Sequence, residues 1–149
     1  MGAVPPAVRV LPMDSGEPGF AGCTIEEVQQ QFFLGELARP SRSPGRYSYR
    51  KVGLRAEPGT VVLFQFAGRI VASATLLEAV RYDEPQPGGH AGEYHFDVST
   101  IRVFDPVDAE ALGKIWPQVT RLGQAKWTLN PEHYGEFERL QTGVESPRV

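Results

Sequence analysis

The fold of this chain is decided by the stretch Glu57-Pro-Gly-Thr-Val-Val-Leu-Phe-Gln-Phe-Ala-Gly-Arg-Ile-Val-Ala-Ser-Ala-Thr75. Residues Thr60 to Phe66 are rich in β-branched and aromatic side chains, which predicts a strand. Ala67-Gly68 predicts a two-residue hairpin turn. The return strand begins at Arg69 and continues toward Tyr82, and its small residues at 72–74 indicate a tight bend or a close approach of another group. The stretch therefore predicts a β-hairpin.

Weaker patterns flank this hairpin. Thr24 and Glu27 fit a capping box, which predicts a helix from Thr24 to about Ala38, before Pro40. The other predicted elements are a short strand at Val8–Pro12, a strand at Tyr94–Phe104, a helix at Ala109–Trp116 capped by Asp108, and a last helix beginning at Asn130-Pro131. Helix, strands and then mixed helices predict an α+β domain around a compact, barrel-like sheet.

Length and composition favour one intracellular domain. The chain has 149 residues, enough for a buried core, and residues 1–7 and 142–149 are expected to be flexible. Its net charge of −3 argues against a protein that coats nucleic acid by bulk charge. The single cysteine, Cys23, excludes an intramolecular disulfide and a cysteine-based zinc site, which fits a reducing cytosol. The first residues lack the pattern of a signal peptide, so a cytoplasmic location is expected.

A local charge anomaly lies between Glu36 and Glu57. This window contains no acidic residue but holds six of the fifteen basic residues, namely Arg39, Arg42, Arg46, Arg50, Lys51 and Arg55. Tyr47 and Tyr49 lie among these cations, in a segment interpreted as a loop because Pro44-Gly45 interrupts it. Cations attract phosphate and aromatic faces stack on bases, so the window indicates a nucleic-acid contact. The alternative is a solvated loop with two partly buried aromatic residues.

Signatures of catalysis or metal binding are missing from the sequence. His90, His95 and His133 are scattered, and a metal site needs three convergent ligands. No phosphate-binding glycine-rich loop and no dinucleotide fingerprint is present. We therefore expect no metal, no cofactor and no enzymatic activity. A second aromatic-plus-cation segment, Gly123-Gln-Ala-Lys-Trp127, adds to the binding interpretation.

Several stretches resemble the PUA-like superfamily. The 57–75 stretch resembles its unit of turn, buried strand, glycine hairpin and small-residue strand, and Phe96–Phe104 is similar to its next barrel strand. The segment from Trp116-Pro through Gly123–Leu129 to the final helix is similar to the EVE and YTH branch. The opening of this chain lacks the tryptophan-rich strand usual in EVE domains.

The resemblance implies a curled β-barrel flanked by helices that reads a modified base, such as methylated cytosine or methylated adenine. The base would be flipped into an aromatic pocket, with DNA expected more than RNA as the partner and association with a nuclease expected. Mapped onto this sequence, the expected base pocket comprises Tyr47, Tyr49, Asp97, Gln124 and Trp127. The expected phosphate contacts are Arg42, Arg46, Arg50, Lys51 and Lys126.

Two other functions stay open at this point. The first is a small hydrolase acting on nucleic acid or nucleosides, with Lys126 and Asp97 as its candidate reactive groups. The second is a module that binds a protein or a small molecule, in which the basic segment is only solvated.

Overall fold

A computed structural model describes residues 4–13, 20–37, 45–50, 56–84, 90–123 and 126–145. Six strands form one mixed sheet in the order β2-β5-β4-β3-β1-β6. The strands are β1 (Val8–Pro12), β2 (Arg46–Arg50), β3 (Val61–Phe66), β4 (Arg69–Arg81), β5 (His90–Val107) and β6 (Thr128–Leu129). The β1–β3 pair is parallel and the other pairs are antiparallel.

The helices lie against this sheet. They are α1 (Ile25–Glu27), which continues directly as a π-helical segment (Val28–Glu36), α2 (Ala109–Ile115), and α3 (Tyr134–Glu145), which follows a 3₁₀ turn (Pro131–His133). None of the helices in the described ranges is long and apolar enough to cross a membrane. The α+β class is confirmed, whereas the sheet formed by the described residues is open, with β2 and β6 at its edges.

The predicted hairpin is confirmed. Phe66 pairs with Arg69, so Ala67 and Gly68 form a two-residue turn. Both have left-handed backbone angles, with φ of 54° and 77°, as a type I′ hairpin requires. The small residues of β4 coincide with the predicted bend, because the register with β5 shifts between Ile70 and Ala72 and again between Ser73 and Thr75.

The predicted helix starts are also confirmed. Thr24 and Glu27 form the reciprocal capping box, Asp108 accepts a hydrogen bond from Ala111 N, and Asn130 accepts one from Glu132 N with Pro131 at the first helical position. The first helix differs from the prediction in its winding, because it is π-helical from Val28 onward. Within that segment the buried Gln29 side chain donates to Val71 O at 2.9 Å and Phe104 O at 2.7 Å, where β4 and β5 are out of register.

The sheet is covered on both faces, so that every residue of β3 is buried. Alternate residues of this strand belong to two clusters. The first cluster joins the first helix to the aromatic side of the sheet, and its largest buried members are Phe33, Phe64, Tyr94 and Phe96. The second cluster joins α2 and α3 to the opposite side, and its largest buried members are Trp116, Phe137, Leu63 and Ile70.

The interpretation of 46–50 as a loop is wrong. These residues form edge strand β2, which pairs antiparallel with β5 from Arg46↔His95 to Arg50↔His90. Arg46-Tyr-Ser-Tyr-Arg50 alternates polar and aromatic residues, which is itself typical of a strand, but the prediction gives more weight to the preceding Pro44-Gly45. β5 is also longer than predicted, because it begins at His90 and ends at Val107.

Candidate nucleic-acid interface

Tyr47 and Tyr49 lie on edge strand β2 and pack inward against the first cluster. Both are half-buried. The Tyr47 ring lies 5.7 Å from the Phe32 ring and 5.8 Å from the Phe64 ring, measured between centroids. The Tyr49 ring lies 4.7 Å from the Tyr94 ring at an interplanar angle of 31°. Two tyrosines therefore form the border of a buried aromatic cluster at the edge of the sheet.

Gly92 makes room for the Tyr49 ring. A Cβ atom at Gly92 would lie 2.2 Å from the Tyr49 hydroxyl oxygen and 2.4 Å from Val80 O. The Tyr49 hydroxyl donates a long hydrogen bond to the same carbonyl, at 3.4 Å. The Tyr49 ring can lie across β5 only because Gly92 has no side chain.

Gly45 fixes the start of β2. Its φ is +79°, its N–H donates to Leu37 O at 2.7 Å, and its carbonyl accepts from Phe96 N at 2.8 Å. A Cβ atom at this position would lie 2.1 Å from Phe96 O. Only glycine meets both conditions, so the entry of β2 beside β5 is set by this residue.

A polar network lies on β5 beside β2. The Glu93 carboxylate is buried, the Tyr82 hydroxyl donates to its Oε1, and His95 Nε2 bonds to its Oε2. These bonds compensate for the burial of the carboxylate and orient the imidazole. In the β2–β5 register Arg46 lies opposite His95 and Ser48 opposite Glu93. The described residues contain no group of three ligands that could hold a metal.

Two of the five predicted phosphate-binding residues, Arg46 and Arg50, are strand residues at the two ends of β2. Arg42 and Lys51 lie outside the described residues. Lys126 is exposed next to β6, at the opposite edge of the sheet, and its carbonyl accepts from the Arg9 guanidinium at 3.2 Å. The structure therefore places Arg46 and Arg50 beside Tyr47 and Tyr49, and places Lys126 elsewhere.

Trp127 does not lie with the two tyrosines. It packs against the second cluster, and its carbonyl accepts hydrogen bonds from Val10 N at 3.0 Å and Arg9 Nε at 3.3 Å. Its indole Nε1 is buried and has no hydrogen-bond partner among the described residues. A buried polar group left unpaired costs about 1–3 kcal/mol, so this nitrogen is an unusual feature of the fold.

The two remaining predicted pocket residues, Asp97 and Gln124, are not placed by the structure beside the tyrosines. Asp97 lies on β5, and its Oδ1 accepts from Ser99 N at 3.0 Å and Ser99 Oγ at 2.7 Å, which is a local turn. Gln124 lies outside the described residues. The base-reading and phosphate-binding roles of all ten residues stay predictions.

No protein-family model matches this chain, and no curated protein matches it either. Among solved structures, the chain is similar to the YTH domain of the Zygosaccharomyces rouxii MRB1 protein, determined in complex with N6-methyladenosine RNA. The TM-score is 0.48 and the identity 14%, over 94% of this chain and 90% of that chain. A likeness at this level assigns neither a ligand nor a residue role to this chain.

Proposed function

We propose that this protein is a nucleic-acid-binding module, not an enzyme, and that it binds through edge strand β2. The observation that supports the proposal most is that Tyr47 and Tyr49 border an aromatic cluster on a strand flanked by Arg46 and Arg50. Arg46 and Arg50 are the two end residues of β2 and stand next to Tyr47 and Tyr49 along the strand, in a chain whose net charge is −3. Phosphate contacts supply affinity, and stacking on an aromatic ring contributes about 1–3 kcal/mol per base.

The finer proposal is that the ligand carries a methylated base, in DNA, within a PUA-like barrel that acts beside a nuclease. Flipping a base out of a duplex costs a few kcal/mol, which one or two stacking contacts offset. Burying one methyl group adds on the order of 0.8 kcal/mol, or about a fourfold preference. The half-burial of Tyr47 and Tyr49 suits such a contact, because each ring is held by the cluster but not enclosed.

A salt titration tests the phosphate contacts. We expect duplex affinity to fall as salt rises, and the negative slope of log K against log salt to become less steep by about 0.9 for each phosphate contact removed. Arg46→Gln and Arg50→Gln should each make the slope less steep. Lys114→Gln, an exposed position on α2 at the opposite face, is the matched control and should leave it unchanged.

Base preference needs a separate comparison at one salt concentration. Methylated and unmethylated DNA and RNA oligonucleotides of the same sequence would be titrated against the full chain and against Tyr49→Phe and Tyr49→Leu. Phenylalanine keeps the stacking face and should bind nearly as well, whereas leucine should weaken binding by about tenfold or more. Salt-insensitive binding of equal strength by all variants would refute the proposed function.

A further inference from the structure

Gln65 and Trp127 each present a buried polar atom that has no hydrogen-bond partner among the residues that the structure describes. Gln65 is only 6% exposed, and its Nε2 donates to Gly123 O at 2.8 Å. Because that carbonyl needs a donor, the amide orientation is settled and Oε1 is the open acceptor. Neither Gln65 Oε1 nor Trp127 Nε1 has a hydrogen-bond partner within the described part of the chain.

Both atoms belong to the same face of the sheet. Val61 and Leu63 are members of the second cluster, and Gln65 follows them at the same alternate position of β3. Trp127 packs against that cluster next to β6, with β1 between β3 and β6. One open acceptor and one open donor therefore lie on one face, separated by a single strand.

The indole N–H of the other tryptophan in this cluster, Trp116, does have a hydrogen-bond acceptor. Trp116 is also buried in the second cluster, and its Nε1 donates to Asn130 O at 2.8 Å. An indole N–H can donate a hydrogen bond to an amide carbonyl, but Trp127 Nε1 does not donate to Gln65 Oε1. A ligand that carries its own donor next to its own acceptor would satisfy both.

We infer that Gln65 and Trp127 bind the hydrogen-bonding edge of a nucleobase, with Gln65 Oε1 accepting a base N–H and Trp127 Nε1 donating to the neighbouring ring nitrogen or carbonyl. Each nucleobase has such a donor beside an acceptor on its pairing edge, and enzymes and readers use that edge to recognise flipped bases. This inference rests on the proposed function, and it adds a site that reads a base edge on the face of the sheet opposite the tyrosine border.

Nuclear magnetic resonance of the full chain tests the inference directly. The chain has two tryptophans and hence two indole N–H resonances, which Trp127→Phe assigns. On adding adenosine or cytidine we expect the Trp127 resonance to move downfield and that of Trp116 to stay in place. N6,N6-dimethyladenosine and N4,N4-dimethylcytidine lack the amino N–H and should bind about tenfold more weakly, the loss typical of one hydrogen bond.

Variants provide a second measurement. Trp127→Phe keeps an aromatic ring without the donor, and Gln65→Met keeps the side-chain length without the acceptor; each should weaken adenosine binding about tenfold. Gln118→Met is the matched control on the same segment, because Gln118 is exposed and donates only to Thr128 O among the described residues. If Gln65→Met fails to fold, the nucleoside pairs still test the inference on the unaltered protein.

Several results would overturn the inference. A Trp127 resonance that does not respond to any nucleoside refutes it. Equal binding of adenosine and its dimethylated form refutes it as well. Since the nucleosides carry no phosphate, a salt-dependent contact at Arg46 and Arg50 would survive such a failure, so failure of this inference can be distinguished from failure of the proposed function.

Discussion

At the scale of single residues, Gly92 connects the packing of β5 to the position of Tyr49. A Cβ atom there would overlap both the Tyr49 hydroxyl and Val80 O, and a backbone oxygen cannot move aside as a flexible side chain can. We expect Gly92→Ala to lower the free energy of unfolding by about 1–3 kcal/mol, the usual cost of overpacking. Urea denaturation of the variant measures this loss.

Gly135→Ala is the opposite control for Gly92→Ala. In α3 a Cβ atom at Gly135 would make only an ordinary contact, 3.7 Å from an Arg139 nitrogen. Alanine is favoured over glycine in a helix by up to about 1 kcal/mol, so this variant should be neutral or more stable. A Gly92→Ala protein as stable as the natural one would show that Tyr49 is not held against β5.

At the scale of elements, the β3–β4 hairpin has a suboptimal turn residue. Ala67 has a φ of 54°, a region that a non-glycine residue enters at a cost of roughly 1 kcal/mol. Asn-Gly is the preferred pair for this turn type, so Ala67→Asn should raise the free energy of unfolding by about 0.5–1 kcal/mol. Thermal or urea unfolding measures the change. Ala79→Asn, exposed within β4, is the control and should give no gain, because asparagine is disfavoured in strands.

Elements with local signals could be predicted from the sequence, and elements set by distant contacts could not. The capping residues Thr24, Asp108 and Asn130 act on amides two or three positions away, and all three predictions are confirmed. β2 pairs with β5 through residues that are forty to forty-nine positions later in the chain. The π-helical winding likewise has no recognisable sequence pattern, although it coincides with the segment from which Gln29 reaches Val71 and Phe104.

The candidate site was only partly predictable for the same reason. The charge window identified Tyr47 and Tyr49 with Arg46 and Arg50, which are neighbours in sequence and remain neighbours on β2. Grouping them with Trp127 needed the order of strands, which places β2 and β6 at opposite edges of the sheet. Gln65 could not be predicted as a site residue, because a single polar residue in an apolar strand does not indicate which groups surround its side chain.

At the scale of the whole molecule, α3 is attached to the sheet through a titratable group. Tyr134 is hydrogen-bonded to the Ser73 side chain, and burial raises the pKa of Tyr134 above its usual 10.0, with the Glu138 carboxylate acting in the same direction. Below pH 10 the phenol is neutral in both the folded and the unfolded chain. Above that pH, ionisation favours the unfolded chain, so the contribution of Tyr134 to stability is lost as pH rises.

We therefore expect alkaline conditions to destabilise the fold less when Tyr134 is replaced. Tyr134→Phe should lower stability at neutral pH because the bond to Ser73 is lost, and should reduce the further loss between about pH 8 and about pH 11. Urea denaturation midpoints at the two pH values measure both effects. An unchanged alkaline loss in Tyr134→Phe would assign the effect to another group.

The division of aromatic residues between the two faces of the sheet also determines which face each spectroscopic signal monitors. Both tryptophans pack with the second cluster, whereas Tyr47, Tyr49 and Tyr94 pack with the first. Tryptophan emission therefore follows the α2–α3 side alone, and the near-ultraviolet dichroism of the tyrosines is weighted toward the side bordered by β2. A protein with two faces on one sheet thus carries its own pair of optical probes, and comparing their transitions shows whether both sides unfold in one cooperative step.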